Sequence, residues 1–216
     1  MTPVVEPGAP LRLDAGGVRV VLRWSWQHSG AGAPDLDLSA LLLGPDGRVG
    51  QEGDFVFYNQ PAHPSGLVRR LPKQRAADGV RDVVHAELTE LAPGIERLAL
   101  AASADGGFRA ELSRPELTVH DAASGEPLAG LPLRPGPRET AVLCGELARA
   151  GDGGWELRAI GRGFTGGLVA LAAEFGIGAA RRPPPTPHGY AGADPTFTLP
   201  PQGPQFLPNA GSGAGT

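Results

Sequence analysis

Val18–Trp26 alternates along the chain. Val18, Val20, Leu22, Trp24 and Trp26 fall on one side, Arg19, Arg23 and Ser25 on the other, and Val21 is out of step. A period of two is that of a strand with one face in a core. Leu38–Leu43 is instead a short continuous apolar run, stopped by Gly44-Pro-Asp-Gly47. In that turn Pro presets φ and Gly supplies a positive one. Phe55–Tyr58 is dense in β-formers, and Asn59–Gly66 is a loop. Further strands are predicted at Asp82–Leu88, Arg97–Ser103, Leu117–Asp121, Thr140–Leu147 and Trp155–Gly161. One helix is predicted over Gly166–Phe175, capped by Thr165 and ended by Gly176, with a helical turn near Thr89–Leu91.

Many short strands, turn-rich connections and a single helix predict a mainly β protein. The expected fold is an antiparallel β-sandwich of two stacked sheets with one or two short helices. The expected organisation is an extended segment over 1–17, the sandwich over 18–177 and a Pro/Gly-rich tail over 178–216. The tail has the composition of a disordered or polyproline-like segment. Within it Pro183–Pro187, Phe197-Thr-Leu199 and Phe206-Leu207 are its candidate contacts with a protein partner.

Composition narrows the function. The chain has 216 residues, a net charge of -4 and 41% hydrophobic residues, which suits one cored domain without a basic footprint for nucleic acid. Cys144 is the single cysteine, so no internal disulfide forms. No apolar run reaches membrane-spanning length and no signal peptide is evident, so a cytoplasmic location is expected.

Candidate chemistry is sparse. Asp35 and Asp37 stand one residue apart at the entry to a strand, a usual start for a calcium site at a sandwich rim. Calcium needs six to eight oxygens, and Asp54, Asn59, Asp78 and Asp82 are the nearest further donors in sequence. Two solvated loop aspartates are the plain alternative. Gly161-Arg-Gly163-Phe-Thr-Gly166 fits the dinucleotide-binding spacing, but no strand follows the helix. His120 and Asp121 are adjacent in a strand and point to opposite faces. Cys144 reads as a small buried hydrophobe. No nucleophile elbow or zinc signature occurs, so no catalytic residue is assigned. Arg69, Arg70, Lys73, Arg75 and Arg81 form a loose basic group, a solvated face or an anionic contact.

Several motifs in order carry a family resemblance. Asp35-Leu-Asp37 through Gly47, Asp54–Pro61, His63–Gly66, Glu139–Arg149, Trp155–Gly163 and Glu174–Ile177 resemble those of the tellurium-resistance TerD/TerA family. The Asn59-Gln-Pro form is similar to its TerA-like branch. The resemblance implies a β-sandwich and a non-enzymatic role in stress and tellurite resistance. It also implies calcium binding and work in multi-protein, membrane-associated complexes with other Ter proteins. Carried over residue by residue, the metal set is Asp35, Asp37, Asp54, Asn59 and Asp82. Two acidic clusters of the family stand here as Pro72-Lys73-Gln74 and Gly79-Val-Arg81-Asp82. Lys73 or Arg81 beside a divalent cation repels it. The expectation is therefore an adaptor with weak or lost calcium binding. The alternative is a calcium-responsive module that docks to partners or anionic surfaces.

Overall fold

The structure is a computed structural model that describes residues 2–8, 10–26, 35–76, 79–108 and 112–178, with the side chains of Trp26 and 112–114 left aside. Residues 179–216 of the expected tail and Asp78 lie outside the described residues.

The strands are β1 (Leu11–Leu13), β2 (Val18–Trp26), β3 (Leu36–Leu43), β4 (Phe55–Val56), β5 (Val68–Ala76) and β6 (Gly79–Ala86). They continue with β7 (Arg97–Ala104), β8 (Leu112–Asp121), β9 (Pro127–Pro132), β10 (Ala141–Arg149) and β11 (Trp155–Phe164). A 3-10 turn over Glu52–Asp54 precedes β4, and α1 spans Gly167–Glu174. A six-stranded sheet has the order β1-β11-β10-β7-β3-β4, and a five-stranded sheet the order β5-β6-β2-β8-β9. The named strands pair antiparallel throughout. The expected sandwich of two antiparallel sheets is what forms.

The alternation of β2 places Val18, Val20, Leu22 and Trp24 in the core between the sheets, against Leu36, Leu38, Ala40 and Leu42 of β3. Each such burial stabilises by about 1.5–3 kcal/mol. The continuous apolar run of β3 has a separate cause. Its alternate residues Leu41 and Leu43 lie in a second cluster with Phe55, Ala99, Leu143 and the Leu171 and Ala172 of α1. The helix covers the outer side of that sheet, so β3 is buried on both faces and loses its polar alternation. Gly47, at φ 72, closes the turn after β3 as its position in the sequence implies.

Differences from the expected elements have local reasons. β1, β5 and β9 were not expected: β1 is three residues long, β5 carries Pro72, and β9 begins and ends in Pro. Proline is tolerated at sheet edges, where its missing N–H faces no partner, and β5 and β9 are edges. The aromatic strand shortens to Phe55–Val56, because Phe57 and Gln60 exchange backbone bonds that turn the chain. Gly166, not Thr165, is the N-cap of α1, and no side chain caps it. The glycine run is a distortion of β11: Gly161 has φ 72 where the β10–β11 register shifts. Among the described residues no parallel strand follows α1, and the dinucleotide reading needs one.

Candidate functional site

Where β3 meets β5 the two sheets share a rim. β4 pairs only with Ala40 and Leu41 of β3, so the first half of β3 is an open edge. Open edges expose unpaired N–H and C=O groups that must be satisfied. Here side chains of the other sheet do so. The Leu38 N–H donates to Asp82 Oδ2 at 2.8 Å, and Lys73 Nζ donates to the Leu36 carbonyl at 2.9 Å.

A β-bulge aims those side chains. Leu71 pairs with Val83 and Gln74 with Arg81, so Pro72 and Lys73 together oppose Asp82. In a regular strand, positions 70 and 73 fall on opposite faces. The extra residue brings both Arg70 and Lys73 to the inner side.

The result is an ionic cluster. Lys73 Nζ lies 3.0 Å from Asp35 Oδ2 and 3.1 Å from Asp37 Oδ1, and 5.4 Å from the Trp24 ring centroid. Arg70 Nη2 donates to Asp37 Oδ1 at 2.9 Å and also to Asp82 Oδ2. Arg75 approaches Asp35 at 3.6 Å. Three carboxylates therefore face three cations. Asp82 is fully buried, Arg70 nearly so, while Asp35 is half-exposed. Burial pushes the Asp82 carboxyl above its ordinary value, against the Leu38 N–H and Arg70, which pull it down. Burial prevails because only one of its oxygens is bonded: Asp82 Oδ1, with Arg70 Nε and Ser39 Oγ, has no hydrogen-bond partner.

The other two sequence candidates stand apart. Asp54 is buried and accepts from the Gly50 and Gln51 N–H groups, Gln51 Nε2 and the His63 ring at 3.0–3.1 Å. It organises its own loop. Asn59 is exposed in the turn Phe57–Gln60. Lys73 stands beside the aspartates as its position suggested. Arg81 does not: it is exposed on the outer face of the five-stranded sheet. Arg70 was missed as a partner; Pro72 within a basic run, the mark of a bulged edge strand, is the signal that points to it.

Calcium does not fit this rim as built. The oxygens suit it in kind, but Lys73 and Arg70 already pair with one oxygen of each of the three carboxylates. The cluster also carries no net charge to attract a cation. Among the described residues, no group of three or more His, Cys, Asp or Glu side chains is arranged to hold a metal.

The model of the TerD domain matches residues 1–175. The chain belongs to the TerD domain family. It is 29% identical over 186 residues to the tellurium resistance protein TerD of Serratia marcescens, covering 76% of this chain and 88% of that one. It is 28% identical over 177 residues to general stress protein 16U of Bacillus subtilis, covering 77% and 91%. The crystal structure of a homologue of telluride resistance protein (TerD) from Streptomyces coelicolor superposes with a TM-score of 0.55 at 22% identity, over 71% of this chain and 94% of that one. In the TerD fold of this chain no helix among the described residues is long and apolar enough to cross a membrane.

Proposed function

We propose that this TerD-family chain serves stress and tellurite resistance as a non-enzymatic adaptor in a Ter-type complex in the cytoplasm. In it the side-chain cations Lys73 and Arg70 stand where a divalent ion would stand, and calcium binding is weak or lost. Family membership supports the role. The observation that carries the calcium reading is the Lys73 ammonium, which contacts Asp35, Asp37 and the Leu36 carbonyl at 2.9–3.1 Å. A tethered ammonium supplies the positive charge permanently, so the sheets stay joined at any calcium concentration.

A calcium-responsive module is the second reading, favoured by the half-exposed Asp35 and the unpartnered Asp82 Oδ1. Deletion and co-purification in a host that carries the chain separate the two. The proposal expects tellurite sensitivity on deletion. It also expects co-purification of other Ter proteins to the same extent in chelator and in calcium. Recovery of those partners only in calcium favours the second reading; absence of any Ter partner removes the adaptor role.

A further inference from the structure

Asp54, His63 and Ser65 form a chain of hydrogen bonds away from the ionic rim. The turn His63–Gly66 holds one end of it. The Gly66 N–H donates to the His63 carbonyl and the His63 N–H to the Val68 carbonyl, each at 2.8 Å, and Gly66 takes φ 75. The turn over Glu52–Asp54 packs on this one, so closely that a Cβ at Gly53 would stand 2.8 Å from Pro64. His63 Nε2 thereby lies 3.1 Å from Asp54 Oδ1, and His63 Nδ1 lies 2.7 Å from Ser65 Oγ.

Two observations fix the tautomer. Asp54 also accepts from the Gly50 and Gln51 N–H groups and from Gln51 Nε2, as a carboxylate does, so Nε2 carries the ring proton. The Ser65 N–H donates to Nδ1 at 3.1 Å, so Nδ1 presents its lone pair. The Leu67 N–H donates to Ser65 Oγ at 3.2 Å, which leaves the hydroxyl hydrogen to face Nδ1. A hydroxyl on a base that a carboxylate orients is the arrangement of an activated nucleophile. The Asp54 and His63 side chains are 7% and 12% exposed, whereas Ser65 is open to solvent. The backbone donors of the turn are spent on Nδ1, Oγ and the His63 carbonyl. None of these three is left to stabilise an oxyanion, so the site suits one transfer from an activated donor rather than turnover.

We propose that Ser65 is a covalent acceptor for a small activated acyl donor such as a thioester, with His63 as its base and Asp54 positioning His63. Ser65 Oγ attacks the carbonyl carbon and its proton passes to His63 Nδ1. The bond to the leaving group breaks with its electron pair, and Nδ1 hands the proton on to that group or to water. The product is one ester per chain, a modification independent of the adaptor role.

The probe is p-nitrophenyl acetate on the full chain near neutral pH, with peptide mapping by mass spectrometry before and after hydroxylamine, which removes esters and leaves lysine amides. Ser124 is the internal control: it is exposed and bonds the Asp121 carboxylate, with no imidazole on its hydroxyl. The expected result is an ester at Ser65 that forms at least about tenfold faster than at Ser124. In His63→Asn the side chain still accepts the N–H two residues on and keeps the turn. Its melting temperature should hold while acylation of Ser65 slows at least about tenfold. No ester at Ser65, a rate equal to that of Ser124, or an unchanged rate in His63→Asn overturns the proposal. Steady release of acetate overturns it in favour of a hydrolase.

Discussion

Lys73 holds its ammonium 3.1 Å from Asp37 Oδ1, reaching from the bulged edge of one sheet to the open edge of the other. Its charge answers Asp35 at the same time, and its third contact satisfies the Leu36 carbonyl. Replacing it by Ser opens the rim and leaves the three carboxylates facing two cations. The Lys73→Ser protein is expected to lose about 1–2 kcal/mol in urea unfolding. It should also gain a calcium-dependent rise in melting temperature that the parent lacks. A variant as stable as the parent and still indifferent to calcium removes Lys73 from the account.

Asp82 and Arg70 are a buried pair, and breaking it from one side takes from the other charge its most buried partner. Asp82→Ala orphans the Leu38 N–H and leaves the nearly buried Arg70 guanidinium with Asp37 as its remaining carboxylate. The expected loss is about 3–5 kcal/mol, read from the urea midpoint. A loss under about 1 kcal/mol means that water reaches Arg70 and the pair is not structural.

Cys144 is buried, and desolvation pushes its thiol up to about 12. The thiolate is the reactive form, so at neutral pH this group is inert in the folded protein. Iodoacetamide should label it in denaturant and leave it almost unlabelled under native conditions, by mass spectrometry. Equal rates in both conditions contradict the burial.

The acid limb of stability follows from groups at turns. Asp121 is held below its ordinary value by the Ser124 N–H and hydroxyl and the Ala123 N–H. Asp152 is held down by the Arg12 side chain and the Gly154 N–H. A depressed carboxyl contributes stability above its unfolded value, near 3.9, and loses it as pH falls through the folded one. Asp82 has the opposite sign: its raised value means that its contribution grows as pH falls toward the unfolded one. Urea unfolding between pH 7 and pH 3 should show a loss on acidification that is shallower in Asp121→Asn/Asp152→Asn. Equal slopes in parent and variant assign the acid limb to other carboxylates.

The sandwich was legible where a strand had one face in the core, as in β2, or where a turn carried its own chemistry, as at Gly44–Gly47. It was illegible where pairing came from elsewhere. β5 is basic and carries a proline, and it is its pairing with β6 that makes it a strand along its length. Within the site, Asp35, Asp37 and Asp82 could be singled out because acidic residues at a strand entry stand out locally. Their meeting with Arg70 and Lys73 depends on the bulge, and a bulge depends on the register of two strands. Asp54 shared the acidic signal but spends it on its own loop. Spacing in one dimension does not separate the two cases.

Calorimetric titration of calcium into the intact chain, at millimolar concentration and neutral pH, tests the central reading most directly. The account expects no saturable heat, because Lys73 and Arg70 already neutralise the rim. Saturable binding that disappears in Asp35→Ala/Asp37→Ala contradicts it.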